Sequence, residues 1–158
     1  MINFPVPDVL DNLGGAIRFW FTPADDVATI AEAVNQLIST LTFDGGKDWY
    51  EGYSLPGSLI PVEQPTETES GTKYQCSLKG SYPKESASVT AMFEELKNLK
   101  HIVAYLEGNN QYKLMGSLDA PCRFRYSITN VEGTNQYDFE FYVDSPTPLY
   151  FISSNQII

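Results

Sequence analysis

Asp138 and Glu140 lie two residues apart in "QYDFEFYV", and on an extended strand that spacing places both carboxylates on one face. Paired carboxylates of this kind serve glycoside hydrolysis or hold a hard cation. The wet face of any half-buried strand carries the same pattern, and Arg125 in "RFRY" is placed to neutralise one of the pair. His101 is the sole histidine, so a Ser/His/Asp arrangement would have to centre on it. No nucleophile marks its surroundings. It stands where a helix end meets a strand, a place where an imidazolium complements the helix dipole.

Other candidates are thinner. Asp44 and Asp48 bracket a "GGK" loop that lacks EF-hand ligand spacing, and "GGK" lacks both the leading Gly and the following Ser or Thr of a phosphate loop. Trp49, Tyr50 and Tyr53 have the ring chemistry to stack on a sugar, pack into a partner or pin their own loop. Cys76 and Cys122 sit on the apolar sides of alternating segments, as reduced core thiols do, and with a single histidine they make no zinc set. The expectation is a protein without cofactor, metal or catalytic centre.

Charge narrows the partners. Ten Lys and Arg against twenty Asp and Glu leave a formal charge of −10, which opposes a surface that grips phosphate backbones. Such acidity keeps a protein soluble, or lines a wall past which a polyanion slides without sticking. Hydrophobic residues make up 42% of the 158, suited to one domain over 1–158 with a sizeable core. No apolar run is long enough for a membrane helix, and prolines at 5 and 7 interrupt the start "MINFPVPDVLDN" where a secretory leader would be apolar. A cytosolic product is expected.

The elements that would position these residues are mostly strands. Alternation predicts strands at 14–22, 72–80, 101–107, 111–116, 122–131 and 136–144. "SASVTAMFEELKNLK" (86–100) reads as a helix with Val89, Met92, Phe93, Leu96 and Leu99 on one stripe, Ser86 as N-cap, and Lys97 and Lys100 at the negative end of the dipole. Residues 101–116 form a hairpin on "GNN". "ADDVATIAEAVNQLISTLTF" (24–43) has helical spacing of Val27, Ile30, Val34, Leu37, Ile38 and Leu41, with Asp25 or Asp26 as cap, although residues 36–43 suit a strand equally. Residues 43–71, punctuated by Gly and Pro, read as a long irregular loop or arm with one short strand near Trp49–Tyr53. In the last hairpin, apolar residues meet apolar residues when facing positions sum to 265 or 267. The first register sets Phe124 against Phe141 and Arg125 against Glu140. The economical architecture is mainly β with a flanking helix (α+β): an antiparallel barrel or sandwich with one helix packed on its outside.

The order of elements resembles a group of small phage and prophage tail proteins. The resemblance rests on "GTKYQCSLKGSYPK" leading into the helix, the Asn/Gly hairpin, the "LxG" of Leu114–Met115–Gly116, the "Y-x-F-x-F" of Tyr137, Phe139 and Phe141, and a Pro-containing aromatic tail. It covers roughly 71–151, and more loosely "FWFTPADDVATI". It implies a tail-tube-like fold whose subunits form rings that stack, with other tail proteins as partners. The site would be a virion tail assembled in the bacterial host cytoplasm, as tube subunit or as connector or terminator at a tube end. DNA would pass as non-adhering cargo, and no membrane would be involved. On that reading Trp20, Trp49, Tyr50, Tyr142, Tyr150 and Phe151 belong to subunit interfaces, Asp138 and Glu140 to an acidic lumen face, and the 43–71 arm reaches a neighbour, ordered only on assembly. The alternatives are a carbohydrate-binding β domain using Trp49, Tyr50 and Tyr53, and an acid–base hydrolase using Asp138 and Glu140.

Overall fold

The computed structural model describes Asn3 and residues 16–157. Residues 14 and 15 of the first expected strand and most of the proline-interrupted start lie outside the described residues. The strands are β1 (Ala16–Pro23), β2 (Val27–Ile30), β3 (Leu37–Ile38), β4 (Leu41–Phe43), β5 (Tyr50–Glu51), β6 (Ile60–Thr68), β7 (Gly71–Pro83), β8 (His101–Glu107), β9 (Tyr112–Met115), β10 (Arg123–Val131), β11 (Thr134–Ser145) and β12 (Tyr150–Ile152), with the helix α1 (Ala87–Asn98) between β7 and β8. A six-stranded sheet has the order β3-β12-β9-β8-β1-β5, a four-stranded sheet the order β10-β11-β7-β6, and β2 pairs with β4. The fold is mainly β with one helix, and the sheets do not close into a barrel.

Alternation decides which faces meet. Phe139, Phe141 and Tyr137 of β11, Leu78 and Cys76 of β7 and Phe124 of β10 point to one side of the four-stranded sheet. They join Phe19 and Phe21 of β1 and Val103 and Tyr105 of β8 in one core. Contrary to the expected placement on the outside of the sheet, α1 lies within this packing. Phe93 is within 5.0–6.0 Å, centroid to centroid, of Tyr137, Phe124, Tyr126 and Phe139, so the helix shares the inner face with the second sheet. The reason is area: the six-stranded sheet covers only part of the long β7–β11 pair, and the apolar stripe of α1 covers more of it. Ser86 caps the helix, its hydroxyl accepting from the Val89 amide at 3.3 Å.

Close approach explains two glycines. A Cβ on Gly80 would fall 2.6 Å from the Phe139 ring, and one on Gly52 2.0 Å from that of Phe19. Each ring lies over backbone that only glycine leaves open.

The observed register of β10 and β11 has sum 265, with Phe124 opposite Phe141 and Arg125 opposite Glu140. The 101–116 hairpin forms as β8 and β9, with Asn110 at φ 65° in its turn. Two further expectations fail. The 24–43 segment is not a helix but a 3-10 turn (Ala24–Asp26) followed by β2, β3 and β4. Asn35 and Gln36, at φ 51° and 67°, interrupt any helical run. Its β-branched residues suit strands, and Val27, Ile38 and Leu41 bury instead against Ile102, Ala104 and Leu114 on the far side of the six-stranded sheet. Residues 43–71 are not irregular throughout, because β6 pairs with β7 over nine positions from Ile60↔Lys79 to Thr68↔Gly71. Prolines 61 and 65 obscured it: an edge strand tolerates proline, since its outward amides have no ladder partner.

Candidate functional site

The outer face of the four-stranded sheet carries the polar residues that alternate with the core. Asp138 accepts from Ser81 Oγ at 2.7 Å, Gln136 Nε2 at 2.9 Å and Thr129 Oγ1 at 3.2 Å. Glu140 accepts from Arg125 Nε at 2.6 Å. The two carboxylates are thus engaged by separate partners, Asp138 by hydroxyls and an amide and Glu140 by a guanidinium. The acidic face expected here is not found. Lys73, Lys79, Arg123 and Arg125 share this side with Asp138, Glu140 and Asp144, so cations match carboxylates across it.

At the β10 edge the balance tips to positive. The C-terminal end of α1 runs beside β10, and an open groove of about 490 Å³ between them is lined by Lys97, Lys100, Arg123, Arg125 and Tyr142, with no carboxylate. Lys97 is committed to Glu94 at 3.2 Å and Arg125 to Glu140. Lys100 and Arg123, both exposed, have no ion pair among the described residues. The guanidinium of Arg125 lies 4.6 Å from the Tyr142 ring centroid. Tyr126 closes the groove floor, its hydroxyl donating to Glu94 at 2.6 Å. That bond pushes the Tyr126 phenol up to about 12 and, with Lys97, holds Glu94 below its ordinary range. Asp119 and Asp144 appear only in the adjoining depression beyond Lys100 and Arg123. From sequence, Lys97 and Lys100 read as dipole partners and Arg125 as a partner for Glu140. Their convergence with Arg123 depends on α1 packing along β10, which no local pattern signals.

The aromatic residues expected at interfaces divide. Trp20 is 5% exposed, covered by Tyr112, with ring centroids 5.9 Å apart, and by the Arg18 guanidinium at 4.9 Å. Its own chain hides it, so its burial requires no neighbouring subunit. Trp49 donates its indole N–H to the Gln156 carbonyl at 2.8 Å and meets Phe43 edge-on. Tyr50 stacks on Phe21, and Tyr53 meets Tyr82 edge-on. These contacts pin the loop. Tyr150 and Phe151 belong to β12, an unforeseen strand between β3 and β9. With Tyr142 they remain half-buried, Phe151 facing the Lys113 ammonium at 5.3 Å.

The other reactive groups are built into the core. His101 Nε2 lies 2.7 Å from the Leu96 carbonyl, which it can approach only as the donor. Its ring meets Phe141 and Phe21 edge-on, and burial lowers its pKa despite the Leu96 bond. The imidazole is therefore neutral, not the imidazolium expected at the helix end. Cys76 and Cys122 are free and buried. Burial raises the Cys76 thiol to about 11 and raises Cys122 as well, so neither is a thiolate nucleophile at neutral pH. Asp48 accepts from the Trp49 amide, and Lys47 pairs with Asp26 at 3.3 Å. Among the described residues no three His, Cys, Asp or Glu converge as metal ligands, and no helix is long and apolar enough to cross a membrane.

The chain matches no family model, no curated protein and no solved structure. Its functional reading therefore rests on surface and architecture.

Proposed function

We propose that this protein is a structural subunit of a phage or prophage tail, without catalytic activity, that self-assembles into rings or a tube through which DNA passes. The observation that carries the reading is the state of the two edges of the four-stranded sheet. Among the described residues, both outer strands, β6 and β10, have an unpaired side. Ile60 and Val62 on β6 and Ile128 and Val131 on β10 are exposed, Val131 at 62%. Exposed aliphatic residues along open sheet edges are a liability in a monomer and an asset in an assembly. The half-buried Tyr142, Tyr150 and Phe151 add amphipathic ring surface of the kind interfaces favour.

Trp20, Trp49 and Tyr50 drop out of this argument because their own chain supplies their contacts. The matched charges around Asp138 and Glu140 likewise give no special reason to place them on a lumen. Sedimentation and electron microscopy of the purified protein test the proposal. Rings or short tubes are the expected result, and a strictly monomeric protein at the highest attainable concentration overturns it. A glycan-binding role is disfavoured by the internal contacts of Trp49, Tyr50 and Tyr53.

A further inference from the structure

The β6–β7 hairpin outruns the rest of its sheet. β11 pairs with β7 only as far as Ser145↔Tyr74, whereas β6 and β7 continue through Thr66↔Lys73, Glu67↔Thr72 and Thr68↔Gly71. The extension adds about 10 Å at 3.4 Å per residue, with no strand of the sheet paired beside it among the described residues. A two-stranded ribbon is marginal by itself in water. This one carries Glu67 and Glu69, both exposed, while Lys73 at its base is held by Asp144 at 2.9 Å.

We propose that the acidic tip of the β6–β7 hairpin docks in the basic groove between α1 and β10 of a second copy of this chain. Opposite charge is the first reason. In a protein of net charge −10, copies repel except where local charges oppose, and the groove offers Lys100 and Arg123 with no ion pair of their own among the described residues. Geometry is the second. β6 and β10 are opposite edges of one four-stranded sheet, roughly 14 Å apart at about 4.8 Å per strand. The tip extends along the strands past the end of the β7–β11 pairing, at the edge opposite the groove of its own chain. The third reason concerns the alternative of continuing the sheet through β6. Pro61 and Pro65 lack the N–H groups such pairing needs, so contacts made from this side of the molecule fall to side chains. A contact between two different patches is heterologous, and repeated it closes a ring or grows a filament. This inference rests on the self-assembly proposed above and names the surfaces that carry it.

The test uses two full-length variants. One carries Glu67→Lys and Glu69→Lys and keeps an intact groove. The other carries Lys100→Glu and Arg123→Glu and keeps an intact tip. All four positions are exposed, and an unchanged melting midpoint verifies the fold. Each variant alone is expected to sediment as a monomer at low salt where the unaltered chain assembles. Their mixture is expected to co-assemble, since the acidic tip of one meets the basic groove of the other and the lysine tip meets the glutamate groove. A chain with all four changes is expected to regain assembly. Variants that assemble like the unaltered chain overturn this inference while leaving self-assembly standing. An unaltered chain that is monomeric at low salt overturns both. Binding of a fluorescent single-stranded DNA oligomer that disappears in the groove variant, with assembly unaffected, overturns it in favour of a phosphodiester ligand.

Discussion

The two faces of β11 are built from opposite chemistries. Inward, Tyr137, Phe139 and Phe141 are each 2% exposed or less and meet rings from β1, β10 and α1. Outward, Asp138 and Glu140 hold hydroxyls, an amide and a guanidinium in partly wet contacts. The first face is fixed by volume, the second by charge and hydrogen bonding that water competes for. The inner face therefore sets stability, and the outer face is free to vary or to bind.

Changes on the inner face should have the largest effects. Phe139→Ala removes a ring packed between Phe19, Phe93 and Phe124 and should cost about 3–5 kcal/mol in urea unfolding. A loss under about 1 kcal/mol would mean the sheets close over the gap. Gly80→Ala forces that same ring aside and should cost about 1–3 kcal/mol, visible as a lower melting midpoint.

The buried His101 gives a pH signature. Its folded pKa is depressed below the ordinary 6.5, so its stabilising contribution is complete above 6.5 and declines as pH falls from there toward the folded value. The decline has a limiting slope of about 1.4 kcal/mol per pH unit. His101→Gln should lower stability at pH 7 but flatten this acid-side loss. An unchanged slope between pH 6.5 and 5 would assign the loss to carboxylates.

Tyr137→Phe keeps the inner ring but deletes a hydroxyl that donates to the Ser86 carbonyl at 3.0 Å and lies 2.7 Å from Thr90 Oγ1. About 1 kcal/mol should be lost, with hydrogen exchange fastest at the start of α1. On the outer face, Glu140→Gln should cost only a few tenths of a kcal/mol in chemical unfolding, because the Arg125 side chain is 63% exposed. A cost near that of Gly80→Ala would erase the distinction between the faces.

Particular elements show where reading the chain succeeds. The 136–144 alternation, the Ser86 cap and the odd register sum follow from period-two faces, local hydrogen bonding and the need to keep apolar opposite apolar. Each depends on near neighbours or on a single pairing. The 24–43 segment misled because its apolar spacing suits a helix, while its burial is decided by the back of a sheet formed by residues 102–114. β6 hid behind two prolines that only an edge position admits. Trp20 read as surplus ring because Tyr112, which covers it, lies 92 residues on.

The chain by itself determined a β-rich fold, its one helix, the pairing of β10 with β11, and a net charge of −10. Only the tertiary structure decided that α1 shares the inner face, that Lys97, Lys100, Arg123 and Arg125 gather at one edge, and that the 66–73 ribbon stands clear of its sheet. The reason is that periodicity reports which side of an element is dry. Which other element does the drying, and which charges it brings along, depends on contacts between residues far apart in the chain.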